Sequence, residues 1–228
     1  MNYLYLDIET IPAQSPEAHE AIAAAVKPPA QMKKAETIAA WEANDKAQAV
    51  QDAIAKTSLD GTYGHICCIG FALGGMEPDS SSLRSYSPGG EATILRDFFA
   101  AATELGSNNH HPVCVVGHNV IGFDIRFIWQ RAIVLGVRVP GWFPCDPKPW
   151  GGEAFDTMTA FAGQRNTISM ARLCAALGLP GKSDIDGSMI GQLWAEGRHD
   201  EIAQYCRDDV ARTREIHRRM MVAYGEAA

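Results

Sequence analysis

Residues 1–10 read Met-Asn-Tyr-Leu-Tyr-Leu-Asp-Ile-Glu-Thr, and the fold turns on how this stretch is read. Tyr3–Leu6 is too apolar to have an exposed face, which predicts a buried strand within residues 1–9. In a strand, residues i and i+2 point to the same side, so Asp7 and Glu9 stand next to each other. Two like charges at that spacing repel, and one is driven toward neutrality unless something positive lies between them. A divalent cation is one answer. A solvated strand end, with both carboxylates in water, is the other.

The chain after this strand changes character. Residues 12–60 are rich in Ala, Gln, Glu and Lys, with apolar positions such as Trp41, Val50 and Ile54 at roughly helical spacing. They predict two or three helices broken at Pro28-Pro29, inserted between two strands of one domain. Residues 65–73 (HICCIGFAL) then read as a buried strand, with Leu83–Ser87 a candidate third strand. Glu91–Leu105 predicts an amphipathic helix, 112–116 (PVCVV) a fourth strand and Ile125–Leu135 another helix. Phe155–Thr157 ends a fifth strand or opens a helix capped by Asp156. Helices follow over 168–178, with Gly178 at its end, and from about 199 to 223. Strands that cluster early and then alternate with helices suit a mixed sheet covered by helices, an α/β fold.

The bulk properties bound the function. A length of 228 residues suits a single domain that includes the helical insertion at about 12–60. No run approaches about 18 apolar residues, and no basic segment precedes an apolar one at the start, so neither a membrane span nor a secretory signal is expected. The six cysteines form no CxxC pair, which predicts reduced core thiols in a cytoplasmic protein and disfavours a zinc site. A net charge of −7 speaks against a nucleic-acid coat protein. It leaves room for an enzyme whose carboxylates hold metal ions. Arg207, Arg212, Arg214, Arg218 and Arg219 predict a basic C-terminal helix.

Two further acidic patterns join Asp7 and Glu9. In residues 115–130 (VVGHNVIGFDIRFIWQ), a buried strand ends at Gly117, and Asp124 falls beside the start of a helix. Ligand sites of open α/β sheets lie just beyond the carboxyl ends of strands. In residues 204–213 (QYCRDDVART), Tyr205 and Asp209 are i and i+4 on one helix face. The chemistry that uses such a set is phosphodiester hydrolysis with two oxygen-ligated divalent ions. A nearby Tyr hydroxyl orients the attacking water.

In order, LDIET, GHNVIGFDIRF and YCRDDV resemble the three motifs of the DEDD superfamily of 3′–5′ exonucleases. Position 204 is Gln and position 205 is Tyr, so the chain resembles the Tyr branch, DEDDy. It is most similar to stand-alone phage and prophage exonucleases related to the proofreading domain of family B DNA polymerases. Residues 27–41 and 56–73, and LGLPGKSDIDGSMIGQLWAEG, extend the resemblance over nearly the whole chain.

The resemblance implies an RNase H-like fold with a five-stranded mixed sheet. It implies Asp7, Glu9, Asp124 and Asp209 as ligands of two divalent metal ions, Mg²⁺ or Mn²⁺, and Tyr205 as the residue that positions water. Asp208 does not fit the Tyr spacing. Asn119 matches a polar position near the substrate and also reads as a turn residue. Lys182, in a Gly-rich loop, is placed to touch phosphate or solvent, and the backbone of Ile8 and Thr10 lies near the terminal nucleotide. The implied protein is a bacterial or phage-encoded 3′–5′ exonuclease for single-stranded DNA. It is free or recruited by a replication or recombination partner, since no polymerase motif is present. An exoribonuclease and a catalytically silent nucleic-acid-binding module are the alternatives.

Overall fold

The computed structural model describes residues 2–107, 113–181 and 185–225. Five strands form one sheet: β1 (Asn2–Ile11), β2 (His65–Leu73), β3 (Asp79–Ser82), β4 (Val113–Gly117) and β5 (Ala154–Asp156), in the order β3-β2-β1-β4-β5. The β1–β2 and β2–β3 pairs are antiparallel, and the β1–β4 and β4–β5 pairs are parallel. The sheet is therefore mixed, with β1 at its centre. The insertion between β1 and β2 holds α1 (Pro16–Ala25), α2 (Ala35–Asn44), α3 (Lys46–Lys56) and a 3₁₀ turn over Thr57–Leu59. Pro28 and Pro29 lie in the gap between α1 and α2. The remaining helices are α4 (Pro88–Ser107), α5 (Asp124–Leu135), α6 (Thr157–Ala162), α7 (Met170–Leu177), α8 (Ile190–Ala195) and α9 (His199–Ala223).

The third strand falls at Asp79–Ser82, not at the expected Leu83–Ser87. Its sequence, Asp-Ser-Ser-Ser, has little strand propensity. Backbone pairing to Phe71–Cys68 of β2 places it at the sheet edge, where side-chain pattern carries little information. Asp156 does both things expected of its segment. It ends β5, and its carboxylate caps α6 by accepting the Met158 and Thr159 N–H groups. Gly178 closes α7 in the left-handed conformation, φ 66°.

Alternation along β1 sorts its side chains between two cores. Leu4, Leu6 and Ile8 pack with Phe98 of α4 and Phe127 and Ile128 of α5. Tyr5 packs with Val210, and Ile11 with Tyr205 and Cys206, all of α9. Asp7 and Glu9 share the parity of Tyr5 and Ile11, so they face α9. The five C-terminal arginines are not simply a solvated face. Arg207 bonds Ser80 Oγ, Arg214 bonds the Met76 carbonyl and Arg219 bonds the Leu177 carbonyl, tying α9 to the β3 edge and to α7.

A buried ionic cluster joins the elements behind the sheet. Glu91, at the start of α4, accepts from the Ile66 N–H and from Arg131 Nε and Nη2, both at 2.8 Å. His65 Nδ1 lies 3.0 Å away. Burial alone would raise the Glu91 carboxyl, but the His65 and Arg131 hydrogen bonds hold it below its ordinary value. Arg131 Nη1 also donates to the Gly61 carbonyl, which clamps the return of the insertion.

On the opposite face, His217 of α9 is buried among Tyr3, Tyr5 and Phe155. Its Nδ1 lies 3.1 Å from the Tyr5 hydroxyl, and its Nε2 has no partner among the described residues. Burial pushes its pKa from 6.5 to about 4. The unfolded chain thus binds a proton between these values that the folded protein refuses, so stability falls as pH drops through that window. Relative to His217→Phe, the wild type is expected to lose on the order of 2 kcal/mol between pH 7 and pH 4, about 4–8 °C in Tm. Thermal melts of both proteins across this range test it; a constant Tm difference would refute the account.

Candidate active site

Gly70 opposes Asp7 across the β1–β2 pair. A Cβ on Gly70 would lie 2.8 Å from Cys206 Sγ and 3.1 Å from Val210 Cγ2, so only glycine lets α9 approach the sheet this closely. That approach brings Tyr205 and Asp209 to the carboxylates of β1. The β1–β2 register shifts after Glu9 because β2 carries one extra residue there, and both Cys67 and Cys68 lie in the cluster facing α9. The thiol of Cys206 donates to the Asp7 carbonyl at 3.5 Å and to Asp7 Oδ2 at 3.6 Å. Ligand-capable atoms of Asp7, Glu9 and Cys206 all lie within 4.8 Å of one another. Burial, and then the contact with Cys68, push the Cys206 thiol well up, so it acts as a donor beneath Asp7.

Asp124 opens α5 and is buried. The β4 pairing of β1 stops at Tyr5, and the Ile8 N–H beyond it donates to Asp124 Oδ1 at 3.0 Å. Burial, with a contribution from Asp156, raises the Asp124 carboxyl to about 7. No basic side chain pairs with it among the described residues. The turn leading to Asp124 is held by Asp156, whose oxygens accept the Asn119 and Ile121 N–H groups.

On α9, Tyr205 and Asp209 are both buried. The Tyr205 phenol is pushed far up by burial, then by the charges of Asp209, Glu9 and Asp7, and by a hydrogen bond with Asp209. It stays protonated and keeps an O–H to donate. Asp209 Oδ1 also accepts from Arg212 Nη1 at 2.7 Å.

Asp7, Glu9, Asp124, Tyr205 and Asp209 line one cleft of about 810 Å³, so the structure brings together the five expected catalytic residues. Ile8 and Thr10 line it too, although the Ile8 N–H is taken by Asp124 and the Thr10 hydroxyl donates to the Ser58 carbonyl. Asn119 does not line the cleft. It adopts a left-handed backbone, φ 67°, with Oδ1 turned toward Gly122, as a turn residue does. Lys182 lies outside the described residues. Sequence reasoning missed Cys206 and the cleft wall formed by Lys56, Ser58 and Leu59. A Lys and a Leu at the end of an Ala-rich helix carry no local signal of a site. His118 also borders the cleft, but its two ring nitrogens already contact Thr157 Oγ1 and the Ile168 carbonyl.

The donor set suits a hard divalent cation. It is made of carboxylate oxygens, and Asp124 is a buried carboxyl with no cationic partner among the described residues. A family model described as a predicted 3′–5′ exonuclease related to the exonuclease domain of PolB matches residues 66–227. The chain belongs to this exonuclease family. The match covers Asp124, Tyr205 and Asp209, and it begins within β2, so Asp7, Glu9 and the whole insertion precede it. The chain is similar in fold to the family B DNA polymerase from the hyperthermophilic archaeon Pyrobaculum calidifontis, with a TM-score of 0.59 at 15% identity. That likeness takes in 98% of this chain and 25% of the polymerase, so this chain spans about a quarter of the polymerase's length. The likeness bears out the RNase H-like α/β reading. No curated protein matches the chain. Among the described residues, no helix is long and apolar enough to cross a membrane.

Proposed function

We propose that this exonuclease hydrolyses the 3′-terminal phosphodiester of single-stranded DNA, using two divalent ions, Mg²⁺ or Mn²⁺, held by Asp7, Glu9, Asp124 and Asp209. The observation that supports this reading is the meeting of these four carboxylates with Tyr205 in one cleft. The ions, when bound, activate the attacking water and neutralise charge on the phosphoryl oxygens. The side chains do the rest. Tyr205, held neutral beside Asp209, orients the water by a hydrogen bond. Cys206 steadies Asp7 from below, and the Ile8 N–H steadies Asp124.

The deciding experiment digests 5′-labelled single-stranded DNA and RNA of matched sequence with Mn²⁺, Mg²⁺ or EDTA. The expected result is a DNA ladder that shortens from the 3′ end and vanishes in EDTA. Faster loss of the RNA would reassign the substrate, and no cleavage of either would overturn the enzymatic reading. Tyr205→Phe is expected to lower the single-turnover rate about 10- to 100-fold. Its Mn²⁺ affinity, measured by calorimetry, is expected to stay unchanged. A wild-type rate in this variant removes Tyr205 from the mechanism.

A further inference from the structure

The cleft is strongly acidic, yet a nucleic-acid strand brings one negative charge per phosphate. Metal ions held by the carboxylates would answer that charge at the scissile bond and not at the neighbouring phosphates. Among the described residues that line the cleft, Lys56 is the one Lys or Arg. It is exposed at the end of α3. Its position is set by hydrogen bonds around it. The Ala13 N–H donates to Thr57 Oγ1 at 2.7 Å, Thr57 Oγ1 donates to the Ile54 carbonyl, and the Thr10 hydroxyl donates to the Ser58 carbonyl. Lys56 is thus carried on a turn tied to the end of the strand that bears Asp7 and Glu9.

Leu59 follows on the same turn and is 71% exposed. With Phe123 it borders both the acidic cleft and a second groove of about 320 Å³. Among the described residues that line that groove, Arg126 is the one Lys or Arg; it is exposed on α5 and shares the groove with Asp60. The two grooves meet at an apolar ridge.

Resting on the exonuclease reading above, we propose that the insertion and α5 together form the grip for the single strand. Lys56 binds a backbone phosphate beside the cleft, a base packs on Leu59 at the ridge, and the strand continues into the second groove, where Arg126 meets a phosphate further from the 3′ end. Phosphate contacts give salt-dependent affinity, and base packing gives salt-independent affinity.

The test is fluorescence anisotropy with a labelled single-stranded oligonucleotide in EDTA across a salt series. The parent protein and Lys56→Ala, Lys56→Arg, Arg126→Ala, Leu59→Ala and the Lys56→Ala/Arg126→Ala double variant are compared, with Tm measured for each. Lys56→Ala and Arg126→Ala are each expected to weaken binding about 10-fold and to lower the slope of log Kd against log salt by about 0.7; the double variant lowers it by about twice that. Lys56→Arg keeps the slope, and Leu59→Ala weakens binding without changing it. Unchanged slopes in the two alanine variants, or no binding by the parent, overturn the grip. Cleavage by the parent is scored separately. Normal cleavage with unchanged slopes leaves the exonuclease reading standing, and no cleavage with reduced slopes leaves the grip standing.

Discussion

Asp7→Ala is expected to lower the rate of 3′-end hydrolysis by at least about 10³-fold, equal to roughly 4 kcal/mol of lost transition-state stabilisation. Asp7 lies on the central strand, shares its face with Glu9 and receives the Cys206 thiol. Its backbone is fixed by pairing to Gly70 of β2, so its carboxylate is held beside that of Glu9. The fold is expected to survive. Asp7 is only half-buried, and its removal relieves repulsion from Glu9 in the metal-free protein. Thermal melts in EDTA should therefore give a Tm equal to or above that of the wild type. Mn²⁺ is expected to raise the Tm of the wild type through binding linkage, and that rise should shrink or disappear in the variant. A variant that cleaves at the wild-type rate would sink the assignment of the metal site, whatever its stability.

The largest effect on stability is expected from Glu91→Ala. Glu91 is fully buried, with Arg131 and His65 directed at it. Removing the carboxylate leaves the guanidinium in the core without its counter-charge, which costs about 3–5 kcal/mol. For a chain of this size, Tm should fall by about 10 °C or more. The double variant Glu91→Ala/Arg131→Met removes the orphaned charge with its partner and should recover much of that loss. Chemical denaturation of the single and double variants measures the coupling. Equal stabilities of Glu91→Ala and wild type would show that the cluster contributes nothing net. Since Arg131 also holds the Gly61 carbonyl, the single variant should loosen the return of the insertion as well, which hydrogen exchange at residues 60–64 would detect.

The candidate site was legible wherever it depended on short spacings. The i, i+2 relation of Asp7 and Glu9, the i, i+4 relation of Tyr205 and Asp209, and the fall of Asp124 at the first residue of α5 all follow from local backbone periods, so residue order alone determined them. The same holds for β1, β2, β4 and the long helices, whose apolar patterns repeat at strand or helix period, and for the caps at Asp156 and Gly178.

What tertiary structure decided are contacts between residues far apart in the chain. The edge strand β3 exists because β2 offers it hydrogen bonds and not because of its side chains. Gly70 matters because Cys206 must pass it, and Arg131 is buried only because Glu91 meets it from another helix. Asn119 turned away from the cleft because the chain there needs a left-handed residue. The insertion looked like an ordinary polar helical segment. Its last turn became a wall of the cleft only when Thr10 and Ala13 bound Ser58 and Thr57. A period describes how a segment folds on itself; which distant surface it then covers depends on steric fit and hydrogen-bond partners that no local pattern encodes.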